Sequence, residues 1–209
     1  MTALPPPPDP AVDRWLRRWR ETAPSVAEAG AAVTIVLRRG ADDVETLLIE
    51  RAERTGDPAS GQVALPGGHV DSDDRSLAAA ALRELAEEVD LRAADLGGPP
   101  RYVRTLLATR FGLRVAVFAA ALGAIGRPPR PADPREVAGV FWLPRRALEV
   151  TRTVDRDTPR GRLAVPATVF DGHILWGFTR RVLLEFFDLP VEEPVGSARP
   201  SSAPSSPSP

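Results

Sequence analysis

Short apolar runs predict a series of strands along this chain. These runs are rich in Val, Ile, Leu and Ala and are bounded by Gly, Pro and Asp, as is typical of strands. The predicted strands are 31–37, 46–50, 62–65, 101–109, 113–122, 140–143 and 174–176. The first two of them flank a turn at 40–43.

Apolar residues at helical spacing predict three helices. These helices are 13–21, 77–89 and 178–187, with one further helical turn after Pro144. Strands first, then a helix, more strands and a closing helix predict a mixed α/β (α+β) layer structure rather than strict βαβ repetition.

Both ends of the chain differ in composition from its middle. Residues 1–10 are rich in Pro and predict an extended N-terminal extension, whereas 191–209 hold Pro and Ser with few large apolar residues. Such a tail buries too little surface to offset its ordering entropy and is predicted to be disordered. The folded domain is therefore expected at 11–190.

Charge and composition exclude several classes of function. The net charge of −1 gives no sign of a nucleic-acid or membrane partner. No apolar run approaches the ~18 residues of a membrane span, and the first residues lack the features of a signal peptide, so a cytoplasmic protein is expected. The chain has no Cys, which excludes disulfides, a thiolate nucleophile and a Cys-based zinc site.

The predicted helix 77–89 carries three acids within five residues. At about 100° per residue, Glu84, Glu87 and Glu88 form one patch beside the apolar stripe. Like charges at this spacing cost roughly 0.2–0.5 kcal/mol per pair on an exposed helix. A divalent cation would reverse that penalty, since Mg²⁺ and Mn²⁺ prefer hard oxygen ligands. The alternative is an ordinary solvated helix face.

The stretch around these acids resembles the Nudix box, at about 67–91. Residues 83–91, "RELAEEVDL", match the second half of that signature, with Asp90 where Gly is usual. The first half departs further: the spacing from Gly68 to Arg83 is longer by one residue, and Arg75 stands in the place of the first Glu.

The lengthened box is similar to the coenzyme A pyrophosphatase branch of the Nudix family. Three further segments resemble that branch in the same order: "LLIER" at 47–51, "EVAGVFWLP" at 136–144 and "ILWGFT" at 174–179. The resemblance spans about 31–187. One departure lies in "RTGDPASG", where Asp57 replaces an Arg that the branch carries.

The resemblance implies a fold and a metal site. The fold would be a Nudix-type α/β/α sandwich with a mixed β-sheet. Two or three Mg²⁺ or Mn²⁺ ions would be held by Glu84, Glu87, Glu88 and the backbone carbonyl of Gly68. A metal-activated water would then attack phosphorus without a covalent enzyme intermediate.

It also implies roles for residues around the acids. Arg83 would orient the acidic patch by hydrogen bonds to a carboxylate such as that of Asp74, although an N-cap for the helix is the favoured role of Asp74. The general base would be Glu84 or Glu136, with a plain surface acid as the alternative for Glu136.

The resemblance implies substrate contacts too. Gly67 and Gly68 would form a tight turn that lets the backbone approach phosphate closely. Arg51 and Arg54 are candidate phosphate contacts. Because all the basic residues are Arg, a single Arg carries little weight by itself.

The implied substrate is a small nucleotide. Coenzyme A or an acyl-coenzyme A would be hydrolysed to 4′-phosphopantetheine and adenosine 3′,5′-bisphosphate. The alternatives are a Nudix pyrophosphatase acting on ADP-ribose, NADH or a nucleoside triphosphate, and a Nudix-fold nucleotide-binding module without catalysis. The sequence gives no indication of the oligomeric state.

Overall fold

The computed structural model describes residues 9–19, 23–54, 60–109, 112–158 and 161–192. Predictions for most of the N-terminal extension, for Asp57 and for the tail from residue 193 onward lie outside these ranges. Glu192, which the sequence assigned to the tail, lies within them, and its carboxylate accepts a hydrogen bond from Arg180 Nη1 at 2.9 Å.

Ten strands and three α-helices follow one another along the described residues. The helices are α1 (Pro10–Leu16), α2 (Leu77–Val89) and α3 (Gly177–Phe186). The strands before α2 are β1 (Ala31–Arg39), β2 (Val44–Arg51), β3 (Val63–Ala64) and β4 (Gly67–His69). The strands after it are β5 (Arg101–Ala108), β6 (Leu113–Ala121), β7 (Val137–Pro144), β8 (Arg152–Thr158), β9 (Gly161–Phe170) and β10 (His173–Trp176). Short 3₁₀ turns lie at Val26–Glu28, Ala93–Asp95 and Arg145–Glu149.

Seven of the strands form one mixed sheet. The order is β3-β2-β1-β6-β5, with β4 also paired to β1 and β7 also paired to β2. β1 runs parallel to β6 and antiparallel to β2 and β4. The predicted mixed sheet is therefore confirmed, with β1 at its centre.

Helices cover both faces of this sheet. Successive side chains of a strand point to opposite faces, so β1 sends Val36 into the cluster under α2 and Ile35 into the cluster under α1 and α3. Leu85 of α2 and Phe186 of α3 are buried on their respective sides. The expected α/β/α sandwich is thus confirmed.

A second sheet was not predicted. It is antiparallel, in the order β10-β9-β8, and only the 174–176 strand was expected from the sequence. β8 (Arg152–Thr158) carries mostly polar and charged residues, and β9 contains Pro166, so neither shows a clear apolar alternation. β10 lies against β3 and joins the second sheet to the first.

The N-terminal helix begins earlier and is shorter than the predicted 13–21. Asp9 accepts a hydrogen bond from the Ala11 N–H at 2.8 Å, and Pro10 occupies the first turn, where its missing N–H does no harm. Trp15 is buried, and Trp19, beyond the helix, stacks on Phe186 with ring centroids 5.7 Å apart. The apolar face of this helix was predicted correctly, but Asp9 and Pro10 start the helix earlier than predicted.

Helix α2 has the predicted bounds but not the predicted cap. The Oγ of Ser76 accepts from the Ala79 N–H at 3.0 Å, so the expectation that Asp74 caps the helix is wrong. Asp74 lies two residues before the N-cap position, and its carboxylate accepts from the Asp71 N–H instead. No helix among the residues described here is long and apolar enough to cross a membrane.

The end of α2 explains why Asp90 replaces the usual Gly. Asp90 has a left-handed backbone with φ of 55°, a conformation that Asp tolerates better than most residues. Its carboxylate lies 3.0 Å from Arg130 Nε and 3.3 Å from Arg127 Nη1. The two ion pairs favour the acid at a position that otherwise suits Gly.

Candidate active site

Helix α2 turns two of its acids toward β4 and one toward solvent. Glu88 is only 5% exposed, and its Oε2 accepts a hydrogen bond from the Gly67 N–H at 2.8 Å. Glu84, one turn earlier, has a side chain that is 14% exposed, against 55% for Glu87. The predicted acidic patch is therefore half buried rather than a solvated face.

The Gly-Gly pair lies in a strand, although a tight turn was predicted. Gly67 and Gly68 pair with Val33 and Ala32 of β1. Gly67 has φ of +146°, and a Cβ there would lie 2.3 Å from the Ala32 carbonyl oxygen. A Cβ on Gly68 would lie 2.4 Å from Glu84 Oε1. One glycine thus allows the strand pairing, and the other leaves room for a carboxylate.

Burial dominates the electrostatics of both inward acids. Burial above all, together with the charges of Glu84 and Glu136, raises the pKa of Glu88 to about 7, while the Gly67 N–H and Arg51 oppose the shift. Burial also raises the pKa of Glu84, against the effect of Arg83. The cluster therefore holds negative charge at a free-energy cost that a cation would offset.

Arg83 joins the acids to the neighbouring turn. Its Nη1 donates to Glu84 Oε1 at 2.9 Å and to Glu87 Oε2 at 2.8 Å. Its Nη2 donates to the His69 carbonyl at 2.9 Å and to Asp74 Oδ2 at 3.0 Å. The guanidinium lowers the pKa of Asp74, and Asp74 in turn raises the pKa of Arg83. The suggested Arg83–Asp74 contact is present.

Glu136 approaches the cluster because its loop is tied to the end of α2. The Ala132 N–H donates to the backbone carbonyl of Glu88 at 3.1 Å. The Glu136 carboxylate is half exposed and lies 3.3 Å from Arg54 Nη2, and its charge contributes to the raised pKa of Glu88. It is close enough to act on the buried acid, although it is not packed against it.

The two arginines proposed as phosphate contacts lie in different surroundings. The positive charge of Arg51 acts on Glu88 and lowers its pKa. Arg54 donates through Nε and Nη2 to the Arg135 carbonyl, at 2.8 and 2.6 Å, besides its ion pair with Glu136. Arg51 therefore belongs to the electrostatics of the cluster, whereas Arg54 holds the loop that carries Glu136.

The donors around Gly68 suit a hard divalent cation. Carboxylates and a backbone carbonyl are the ligands that Mg²⁺ and Mn²⁺ prefer, and Glu84 and Glu88 are buried together beside a backbone that a Cβ would obstruct. Among the described residues, no three acidic or histidine side chains are arranged to hold a metal as they stand. Instead, the Nη1 atom of Arg83 donates hydrogen bonds to the carboxylates of both Glu84 and Glu87.

Comparison with known proteins identifies the family. A family model described as the NUDIX domain matches residues 28–164, which includes the whole 67–91 box. The chain belongs to the Nudix family. The expected family and enzyme class are thereby confirmed: Nudix hydrolases cleave diphosphate linkages in nucleoside diphosphate derivatives and generally use divalent metal ions.

Full-length relatives agree with this assignment. An uncharacterized Nudix hydrolase, NudL, of Cronobacter sakazakii is 32% identical over 185 residues, covering 83% of this chain and 92% of that protein. NudL of Salmonella heidelberg is 33% identical with the same coverage. The crystal structure of a MutT/nudix family protein from Enterococcus faecalis has a TM-score of 0.50 and 18% identity, covering 84% of this chain and 66% of that one, and shares the Nudix fold.

Sequence reasoning missed a cavity away from the acidic cluster of this Nudix protein. A cavity of about 400 Å³ lies between β3 and the second sheet. Its lining residues are Glu50, Ser60, Gly61, Gln62, Val63, Arg156, Gly172, His173, Ile174 and Trp176. Gly161, the first residue of β9, and Gly172, in the turn between β9 and β10, were the available signal for the strand pairs there.

The two glycines of β4 predict separable defects. Gly68→Ala should push Glu84 aside and lower turnover about 10²-fold, since small misplacements at a reacting centre have effects of this size. Gly67→Ala should mainly lower the melting temperature, because both its φ and its contact with Ala32 become strained. Metal-dependent turnover and thermal unfolding of both variants check this.

Gly126→Ala is the matched control, because a Cβ at Gly126 meets nothing within 4 Å and its φ is not in the left-handed region. It should leave both measurements unchanged. Full activity per folded molecule in Gly68→Ala would contradict the close approach of Glu84 to this backbone.

The raised pKa of Glu88 predicts how stability depends on pH in metal-free protein. A carboxyl whose pKa is higher folded than unfolded contributes stability below the unfolded value of about 4.5, and that contribution is lost as the pH rises toward about 7. Glu88→Gln should therefore be more stable than wild type at pH 8.5, by on the order of 1–3 kcal/mol, with the difference vanishing near pH 4.5.

Urea unfolding in EDTA at both pH values measures this difference. Glu87→Gln serves as the control, because Glu87 is exposed on the same helix and should show no such gain. A Glu88→Gln protein that is less stable than wild type at pH 8.5 would show that the carboxylate is not held at a cost.

Proposed function

We propose that this Nudix hydrolase cleaves the diphosphate of coenzyme A or an acyl-coenzyme A, releasing 4′-phosphopantetheine and adenosine 3′,5′-bisphosphate. The observation that carries diphosphate hydrolysis is the burial of Glu84 and Glu88 together against the glycines of β4. The choice of coenzyme A is supported by the four ordered sequence segments that resemble the coenzyme A branch.

The metal ligands in this proposal are Glu84, Glu87, Glu88 and the Gly68 carbonyl. Bound Mg²⁺ or Mn²⁺ supplies charge neutralisation of the diphosphate and a bound water of lowered pKa. The raised pKa of Glu88 fits this role, since a nearby cation favours the ionised form that burial disfavours.

Arg83 is a positioning residue in this scheme. It does not need to touch substrate, because it links Glu84 and Glu87 to the carbonyl of His69 and to the buried side chain of Asp74. These contacts fix the helix relative to the end of β4, and thus fix the spacing between the carboxylates and the Gly68 carbonyl.

Two carboxylates are candidates for the base that takes the proton from the attacking water. Glu84 is nearest to Gly68, and Glu136 acts on the cluster from the loop that Arg54 holds. The diphosphate itself would contact the backbone at Gly67 and Gly68, with Arg51 and Arg54 as the cationic candidates; Arg51 is the stronger of the two because its charge acts on the buried Glu88. The pH profile of turnover distinguishes a general base from a metal ligand, because replacing the base shifts that profile.

A substrate panel tests the proposal. Purified protein with Mg²⁺ or Mn²⁺ should cleave coenzyme A in preference to ADP-ribose, NADH and a nucleoside triphosphate, with products identified by mass. Glu84→Gln and Glu88→Gln should lower turnover on the order of 10²-fold or more while remaining folded, since each removes a group that acts on the reacting centre.

Glu149→Gln controls for the loss of an acid outside the cluster, because Glu149 pairs with Arg145 on the surface. Cleavage of ADP-ribose or NADH in place of coenzyme A would keep the reaction class and overturn the substrate. A lack of metal-dependent cleavage of every compound would favour a nucleotide-binding module instead.

A further inference from the structure

We propose that Asp90, directly after α2, is a positioning residue for turnover: its carboxylate fixes the β6–β7 loop (122–136) against the helix and thereby sets where Glu136 stands relative to the acidic cluster. The inference rests on the proposed function, because it takes Glu136 as the base that receives a proton from the attacking water. It gives Asp90 no contact with substrate or metal.

The β6–β7 loop has few backbone groups with which to hold itself in place. Within this described stretch of chain it forms no helix and no named strand, and it has prolines at 128, 129, 131 and 134. Proline has a fixed φ and no N–H donor. The loop is therefore stiff around these prolines, and its position depends on contacts with other parts of the molecule.

Two of the remaining N–H groups of the loop bond to the end of α2. The Arg130 N–H donates to the Val89 carbonyl at 3.3 Å, and the Ala132 N–H donates to the Glu88 carbonyl at 3.1 Å. The last turn of a helix leaves such carbonyls without a partner inside the helix. The loop thus lies along the same helical turn that carries the buried Glu88.

The side chains of Asp90, Arg127 and Arg130 add a charged clamp to this contact. Asp90 Oδ2 accepts a hydrogen bond from Arg130 Nε at 3.0 Å and lies 3.3 Å from Arg127 Nη1. Arg127 Nη2 also donates to the backbone carbonyl of Asp90. One carboxylate therefore holds two arginines that flank a pair of prolines in the loop.

The position of Asp90 is unfavourable for an acid in other respects. Its φ of 55° suits Gly better than Asp, and a negative charge at a helix C-terminus opposes the helix dipole. The clamp adds little net stability in return, since the Arg130 side chain is 71% exposed and exposed ion pairs are weak. The geometry that Asp90 imposes on the loop explains the acid better than stability does.

Glu136 is tied to β2 and to α2 by different contacts. The Ala52 N–H donates to the Glu136 carbonyl at 2.9 Å, and Arg54 Nε donates to the Arg135 carbonyl at 2.8 Å. These bonds tie Glu136 to the end of β2, whereas its tie to α2 runs through the loop contacts at 127–132. The clamp therefore governs the distance between Glu136 and the cluster on α2.

A double-mutant cycle between positions 90 and 136 tests this role. Asp90→Gly removes the clamp and should keep a melting temperature close to that of wild type, because the left-handed backbone suits Gly. With whichever diphosphate substrate wild type cleaves, kcat should fall about 10-fold at nearly unchanged KM, since a misplaced base loses part of its effect. In a Glu136→Gln background the same change should alter kcat less than about 2-fold, because residues that act through one another are not additive.

Arg130→Gln should reproduce the loss of kcat while leaving the backbone at position 90 unchanged. Asp171→Gly is the matched control, because Asp171 also has a left-handed backbone, with φ of 48°, and is exposed in the turn between β9 and β10. It should leave kcat unchanged in both backgrounds.

Hydrogen exchange in metal-free protein gives a readout that does not depend on turnover. Amides of the β6–β7 loop should exchange about 10-fold faster or more in Asp90→Gly than in wild type, because the loop opens locally more often. Asp171→Gly should leave this exchange rate unchanged.

Three results would overturn the inference: unchanged exchange in the loop, no loss of kcat in Asp90→Gly, or a loss of kcat by the same factor with and without Glu136. If wild type cleaves none of the substrates, the proposed function falls separately. Faster exchange in Asp90→Gly then still supports Asp90 as the residue that holds this loop, and unchanged exchange overturns that as well.

Discussion

The contact between α2 and β4 brings Glu84 and Glu88 close to a strand backbone and out of water. A buried carboxylate is costly unless it has partners. Glu88 accepts a hydrogen bond from the Gly67 N–H and feels the positive charge of Arg51, but burial and the charges of Glu84 and Glu136 outweigh both and raise its pKa to about 7. The surrounding structure must therefore hold this carboxyl in place without fully compensating its ionised form. That requirement accounts for features that would otherwise be unconnected.

Three of these features lie within a few residues of the cluster. The strand carries glycine at both positions because one must accept a positive φ and the other must leave room for Glu84. Arg83 binds Glu84 and Glu87, the more accessible acids, but makes no hydrogen bond to Glu88 among the described contacts. The loop that carries Glu136 is tied to the last turn of α2, so the outer acid stays in electrostatic reach of the buried one.

The sequence predicted those helices and strands whose apolar residues all pack against one neighbouring layer of the fold. Helix α2 was predicted with correct bounds because one face packs on the sheet along its whole length, and the central strands followed from their Val-rich and Ala-rich runs. The family signature located the three acids. The pattern did not predict that Glu88 would be buried, since an angle on a helical wheel does not say how closely the neighbouring strand approaches.

Other parts of the molecule depend on contacts that no local pattern records. Asp74 resembles an N-cap in sequence, but Ser76 lies at the right distance from the helix start and caps the helix. The Asp74 carboxylate instead accepts a hydrogen bond from Arg83, which lies further along the same helix. Strands β8 and β9 carry charged residues and Pro166, and pair with each other rather than with the main sheet. The cavity at Arg156 could not be predicted either, because part of its wall comes from this second sheet. The rest of the wall comes from β2 and from the segment before β3.

Calorimetric titration of Mn²⁺ into the protein is the most direct test of whether the buried acids Glu84 and Glu88 bind a metal ion. Run at pH 6.5 in two buffers of different ionisation enthalpy, it counts the protons released on binding. Wild-type protein should bind Mn²⁺ and release protons at pH 6.5 but not at pH 8.5, because the pKa of Glu88 is about 7 in the metal-free state. Glu88→Gln should bind more weakly and release fewer protons. Equal affinity in wild type and Glu88→Gln, or no binding to wild type, would contradict the assignment of this cluster as a metal centre.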